Sequence, residues 1–336
     1  MIWCNNIKEG YDVNINVLSL FDGISCGQVA LHRAGIEVDN YFASEIDKYA
    51  IKVTQDNYPD TIQLGDVTKV KYSNGWLYCE NNKYQVGKID LLIGGSPCQG
   101  FSLAGKQLNF NDPRSKLFFE YNRLLKEVQP KYFLLENVRM KLKYQDIISK
   151  YLGIVPIEIN SALVSAQNRV RLYWTNIPNI QQPSDKGISL SDILENSVYT
   201  NPGALCGRKL NKGVILGRRL DSNGHRQDYN KSVQISQCLE VRKTNINKSN
   251  CLTTVEKDNV LTPMPVGRYP DAFKNKLPFR YYTRIECCRL QTLPDNYTNA
   301  ISESQAKKCL GNGWTVDVIV HIFKNIEIYK NIELTA

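Results

Sequence analysis

The sequence predicts an α/β fold built on a mostly parallel sheet, with a second, smaller and irregular domain attached. Strand-like and helix-like runs alternate through the first half of the chain, the rhythm of βαβ units. A glycine-rich turn follows the first apolar run, and acids stand at the ends of the next two. The alternation stops near Pro178, after which residues 181–271 carry short apolar pieces among Asn, Gly, Ser and basic residues.

Ile15 to Leu20 reads as the first strand, and Gln28 to Ala34 as a short helix ended by Gly35. Tyr41 to Ser44 is the second strand, and the helix from Lys48 to Asn57 is stopped by Pro59. Gln63 to Val67 resembles a third strand end, and Ile89 to Ile93 a fourth, buried strand. In Lys116 to Val128 the residues Leu117, Phe118, Tyr121, Leu124 and Leu125 share one helical face. Lys131 to Leu135 is a fifth strand and Gln145 to Leu152 a further helix; Ile154 to Asn160 and Arg171 to Thr175 finish the sheet. Beyond the irregular stretch, helical character returns at Ser302 to Leu310 and from Val316 to Tyr329.

A chain of 336 residues accommodates one large core and a smaller unit. No apolar stretch approaches the roughly 18 residues that a membrane span needs, and the N-terminus has no signal-peptide pattern. The ten cysteines are scattered without Cys-x-x-Cys, and the three histidines are not spaced with them as ligands. These features predict free thiols, no metal, no membrane and a cytoplasmic setting. The net charge of +9 is concentrated: residues 205–250 hold ten basic residues against three acids. Such a segment is either a surface facing a polyanion or a solvated insertion.

Phe21-Asp22-Gly23 opens a glycine-rich turn before the first helix, where backbone N–H groups face a ligand. Its glycine spacing is not that of a dinucleotide site. Glu45 stands where a ribose-binding acid belongs, and Asp66 where an acid can meet an adenine amino group. Together they suggest an adenosyl cofactor without a pyrophosphate. Ser96-Pro97-Cys98-Gln99 follows Gly94-Gly95 and presents a thiol at the carboxyl end of the fourth strand. That thiol is a nucleophile or a small buried hydrophobe. Glu136 ends the neighbouring strand and lines the same crevice unless it is a cap or a surface acid. Arg169 and Arg171 alternate along an extended segment, as a fork for an oxygen or as a basic edge strand.

Taken in order, these blocks resemble the cytosine-C5 DNA methyltransferases. The resemblance rests on Phe21-Asp22-Gly23, Glu45, Asp66, Gly95-Ser96-Pro97-Cys98-Gln99-Gly100-Phe101-Ser102, Glu136-Asn137-Val138 and Gln167-x-Arg169-x-Arg171. It extends to Arg284 to Pro294 and to Gly311-Asn312, and spans nearly the whole chain. Ser161 to Pro178 and Gly313 to Val316 look more like the animal de novo enzymes, whereas Gln99 to Ser102 and Gly311-Asn312 look bacterial or phage-like.

The resemblance implies a Rossmann-like, S-adenosylmethionine-dependent catalytic domain over residues 1–180, completed by 304–336, and a target-recognition domain over 181–303. It implies a cofactor cleft of Phe21, Asp22, Gly23, Glu45, Ile46, Asp66, Val67, Gly95, Pro97 and Asn312. Cys98, Glu136, Arg169 and Arg171 become the catalytic set, acting on a cytosine flipped out of double-stranded DNA, with water as the base that removes the C5 proton. Gln99, Ser102, Lys106 and Arg114 would contact DNA from a mobile segment over the flipped base; Arg218, Arg219 and Lys231 would contact it from the basic insertion. A monomer with a cognate restriction endonuclease as its partner fits the bacterial resemblance. Two rivals, a tRNA cytosine methyltransferase and an inactive DNA-binding regulator, are disfavoured by the sizeable second domain and by the intact motifs.

Overall fold

The computed structural model describes residues 14–97, 113–195, 210–221, 225–227, 229–242 and 247–327, with side chains of the third helix from residue 116. The chain begins with β1 (Ile15–Leu20), α1 (Cys26–Ala34), β2 (Val38–Ser44), α2 (Lys48–Asn57) and β3 (Ile62–Gln63). A small antiparallel sheet follows, made of β4 (Lys71–Ser73), β5 (Trp76–Tyr78) and β6 (Lys83–Gln85). It was not foreseen, because three-residue strands are too short to show a period. The main fold resumes with β7 (Leu91–Gly94), α3 (Pro113–Val128), β8 (Tyr132–Val138), α4 (Leu142–Leu152), β9 (Ile157–Asn160) and β10 (Val170–Thr175).

Seven of these strands form one sheet in the order β3-β2-β1-β7-β8-β10-β9. β1, β2, β3, β7 and β8 run parallel, and β10 is antiparallel to both β8 and β9. Both faces are covered, which is why the strands read as apolar runs. Successive residues point to opposite sides. Val17, Leu91, Ile93 and Leu134 enter one core with α1 and α2. Leu18, Leu20, Leu92 and Leu135 enter the other with α3 and α4. The carboxyl ends of β1, β2, β7 and β8 therefore open onto one crevice.

Residues 181–281 are more regular than expected. After α5 (Leu190–Ile193) come β11 (Asn211–Arg219), β12 (Ile235–Val241), β13 (Val260–Thr262), β14 (Gly267–Tyr269) and β15 (Arg280–Tyr281). They form a five-stranded antiparallel sheet, ordered β14-β12-β11-β13-β15, over a small core of Ile215, Leu239, Val241, Val260 and Ala272.

The chain then returns through α6 (Arg284–Leu290), α7 (Glu303–Asn312) and α8 (Val316–Phe323). The helix expected from Val316 to Tyr329 ends at Phe323. Val316, Val318, Ile319, Ile322 and Phe323 are fully buried, and each contributes roughly 1.5–3 kcal/mol of burial. Cys287, Cys288, Leu290 and Leu293 join the same main core, as do Leu190 and Ile193. Leu261 of β13 enters that core too, so the second sheet packs directly onto the main core. Arg280 ties its last strand to α6 through a paired contact with buried Glu286, both N–H···O distances being 2.7 Å.

Candidate active site

The crevice begins where β1 ends. Phe21, Gly23 and Ser25 all have positive φ (57°, 62° and 54°), so the chain turns sharply into α1. Asp22 holds this turn: its carboxylate accepts from Ser19 Oγ at 2.6 Å, from Tyr41 Oη at 2.8 Å, and from Ser25 Oγ. Burial pushes the Asp22 carboxyl up to about 6, against the lowering effect of those hydroxyls. Asp22 thus shapes the turn by hydrogen bonds to its own neighbours.

Glu45 closes the cleft from the end of β2. One carboxylate oxygen accepts Gly23 N–H at 2.8 Å; the other accepts the N–H groups of Ile46 at 2.7 Å and Asp47 at 2.9 Å. Ile46 is 76 % exposed, an apolar side chain standing open beside a fixed acid. Asp66 is exposed past β3 and caps the following turn through Thr68 N–H at 2.9 Å, while Val67 is buried. Open space beside Gly23, the acid at Glu45 and the uncovered Ile46 fit a nucleoside with a ribose and a flat apolar base. Asn312 is exposed at the end of α7. Among the described residues no group of three or more His, Cys, Asp or Glu converges to hold a metal.

β7 ends at two glycines that the packing requires. A Cβ on Gly94 would lie 2.9 Å from the Leu20 carbonyl oxygen. One on Gly95 would lie 3.0 Å from Trp314 Nε1 and 3.2 Å from Glu136 Oε2. Ser96 is buried and held by Asn137, whose Nδ2 donates to its carbonyl oxygen and hydroxyl, both at 3.3 Å. Pro97 follows. Cys98, Gln99, Ser102 and Lys106, and the side chain of Arg114, lie outside the described residues.

Glu136 projects from β8 beside this segment and is 8 % exposed. Arg171 Nε donates to its Oε1 at 2.9 Å and Trp314 Nε1 to its Oε2 at 3.1 Å. Burial works against the charge on Arg171, but Glu136 and Cys251 outweigh it and raise the net affinity for its proton. Cys251 Sγ lies 3.8 Å from Arg171 Nη2.

Arg169 stands behind this group: its Nη1 lies 3.4 Å from the same Cys251 Sγ, but it makes no bond to Glu136. It is buried, and its guanidinium donates to the carbonyl oxygens of Leu252 at 2.7 Å, Gly311 at 3.2 Å and Gly313 at 2.8 Å. Burial and the neighbouring Arg171 lower its proton affinity. It lies just before β10, so its guanidinium turns to the return segment while Arg171 faces Glu136. The work of Arg169 is to clamp the segment returning from the second sheet onto the end of α7. Gln167 assists: its Oε1 accepts Leu252 N–H at 3.1 Å and its Nε2 donates to the Leu290 carbonyl at 2.6 Å.

In the basic insertion, Arg218 Nε donates to Glu240 Oε1 at 2.8 Å, Arg219 is half-buried at the end of β11, and Lys231 is exposed in a turn. Trp314 and Asn137 were not singled out in the sequence. Their only signal was membership of recognisable blocks, since each acts on a residue distant in the chain.

The profile of the C-5 cytosine-specific DNA methylases matches residues 15–152 and 160–328. The Type II methyltransferase M1.ScrFI of Lactococcus lactis subsp. cremoris is 34% identical over 326 residues, 90% of this chain and 75% of that protein. The Type II methyltransferase M.NlaX of Neisseria lactamica is 27% identical over 90% of this chain and 93% of its own length. Among solved structures, the Entamoeba histolytica methyltransferase EhMeth superposes with a TM-score of 0.62 at 19% identity, over 93% of this chain and 98% of that one. The family uses S-adenosylmethionine, which the cleft at Gly23, Glu45 and Ile46 suits. With its sheet, crevice and ordered motifs matched over most of its length, the chain belongs to the C-5 cytosine-specific DNA methylase family and is a DNA cytosine-5-methyltransferase.

Proposed function

We propose that this chain methylates a cytosine flipped out of duplex DNA through a covalent bond from Cys98, with Glu136 and Arg171 as its polar partners. Flipping costs a few kcal/mol and exposes the edges of the base. The Cys98 thiolate adds to C6, and the C5=C6 electron pair moves so that N3 gains a proton from Glu136. Arg171 neutralises the carboxylate that remains and donates to the O2 side of the base. Glu45, Ile46 and Asp66 would hold S-adenosylmethionine, which would supply an electrophilic methyl group to C5 and leave as S-adenosylhomocysteine. Glu136 takes back the N3 proton, water removes the C5 proton, and the C6–S bond breaks to restore the thiolate.

The observation that carries this reading is Glu136, fixed by two donors from opposite sides beside the segment that leads to Cys98. A carboxylate so held meets a planar base in one orientation, which catalysis by proton transfer requires. The five-stranded antiparallel sheet supports duplex DNA as the substrate, since it carries the arginines Arg218, Arg242 and Arg268 together. The Type II names of two relatives support a cognate restriction endonuclease as a partner in the cell. The test is nucleoside analysis after incubation with S-adenosylmethionine. It should yield 5-methylcytosine from duplex DNA and none from tRNA; the reverse pattern overturns the reading.

A further inference from the structure

One face of the five-stranded sheet is apolar; the other is mixed and gathers its charges around Glu240. Ile215, Leu239, Val241 and Val260 point into its core. On the opposite face, set by the two-residue period, stand Lys212, Val214, Leu216 and Arg218 of β11, and Ser236, Cys238 and Glu240 of β12. Glu240 pairs directly with Val214 on one side and with Arg268 of β14 on the other.

Three guanidiniums reach the Glu240 carboxylate. Arg218 Nε and Arg268 Nε approach Oε1 at 2.8 and 3.4 Å, and Arg242 Nη2 approaches Oε2 at 2.9 Å. The carboxylate side chain is only 7% exposed. Burial opposes its charge, but the hydrogen bonds from Arg218 and Arg242 prevail and hold it down at about 2, so it stays ionised at any working pH. One carboxylate offers about four acceptor positions, whereas each guanidinium carries five N–H donors. Most of the donors therefore point elsewhere. Those of Arg242 and Arg268, with side chains 57% and 39% exposed, are open to the surface.

We propose that Arg242 and Arg268, buttressed by Glu240, are forks that read base edges of the DNA target, guanine O6 and N7 foremost. The inference rests on the chain being a DNA methyltransferase. The partner follows from charge complementarity, because the two exposed guanidiniums of Arg242 and Arg268 share one carboxylate and present positive charge that a duplex neutralises. Base reading, rather than phosphate binding, follows from the buttress. A phosphate contact needs only charge, and a flexible side chain supplies it. A bidentate contact with guanine needs a fixed planar fork, and a buried carboxylate behind the guanidinium fixes its orientation before DNA arrives.

The experiment maps methylated positions in a random-sequence plasmid library with the full chain and its Glu240→Gln, Arg268→Lys and Arg242→Lys variants. Selection from random duplexes by binding alone reads the same preference without methyl transfer, so a failure of the chemistry is distinguished from a failure of this assignment. Thermal unfolding checks that each variant folds. Both lysine variants keep the charge but lose the fork; each is expected to accept other bases at one position of the target, about 10-fold or more often than the parent. Glu240→Gln adds positive charge yet is expected to relax the same positions while random-duplex affinity holds or rises. If Glu240→Gln does not fold, the lysine variants decide. An unchanged target in both, or a loss of affinity uniform across sequences, would overturn the proposal.

Discussion

Glu136 takes one donor on each carboxylate oxygen, and the two donors have different work. Arg171 brings a charge, and Trp314 brings direction from an indole ring packed against Gly95. Glu136→Gln removes the exchangeable proton and should slow single-turnover methylation by roughly 100-fold or more. Trp314→Phe keeps the ring but removes the N–H, and should cost about 10-fold, the scale of a hydrogen bond to a charged group. If Trp314 acts through the carboxylate, the double variant is no slower than Glu136→Gln alone; additive losses would mean that the indole does something else. Glu136 and Arg171 were legible because each sits at or beside the end of an apolar run. Trp314 was not, because its partner lies 178 residues away and a lone tryptophan carries no spacing.

At the scale of elements, the cofactor cleft is a product of strand ends. Glu45→Ala removes the acceptor of three backbone N–H groups and, under the proposed function, a ribose contact. It should weaken S-adenosylhomocysteine binding in calorimetric titration more than Asp66→Ala does, because exposed Asp66 holds only a local turn. Equal affinities in both variants and the parent would remove these acids from the cofactor site. The return segment offers a second test. A Cβ at Gly311 would lie 2.4 Å from the backbone of Thr253, so Gly311→Ala should destabilise the fold by about 1–3 kcal/mol in chemical denaturation. The parallel strands were readable in the sequence because burial on both faces makes them continuous apolar runs. β11 and β12 were not. Polar and apolar residues mix on one face of each, Gly213 and Gly217 interrupt β11, and Glu240 with its arginines imitates a solvated loop.

For the molecule as a whole, stability and chemistry meet at the first turn. Asp22 has an ordinary value of 3.8 and is raised to about 6 by burial. Between those values the folded chain keeps a proton that the unfolded chain has released. Its contribution is therefore fully present below about pH 4 and is lost as pH rises through about 6. The cost above that range is on the order of 3 kcal/mol. Asp22→Asn avoids the buried charge, so its stability relative to the parent should increase from pH 4 to pH 6 and then level off; a pH-independent difference in thermal unfolding would show that the carboxylate is not so enclosed. α6, α7 and α8 return to the main core, and Arg169 and Gln167 hold the segment at Leu252 beside them. The central claim is that Cys98, reached from the glycine turn after β7, attacks C6. Wild-type protein incubated with S-adenosylmethionine and a target duplex containing 5-fluorocytosine, whose C5 substituent cannot leave as a proton, should yield a protein–DNA adduct that survives denaturation, and Cys98→Ala should yield none. An adduct in the alanine variant, or no adduct in a wild type that methylates the unfluorinated duplex, would contradict the account.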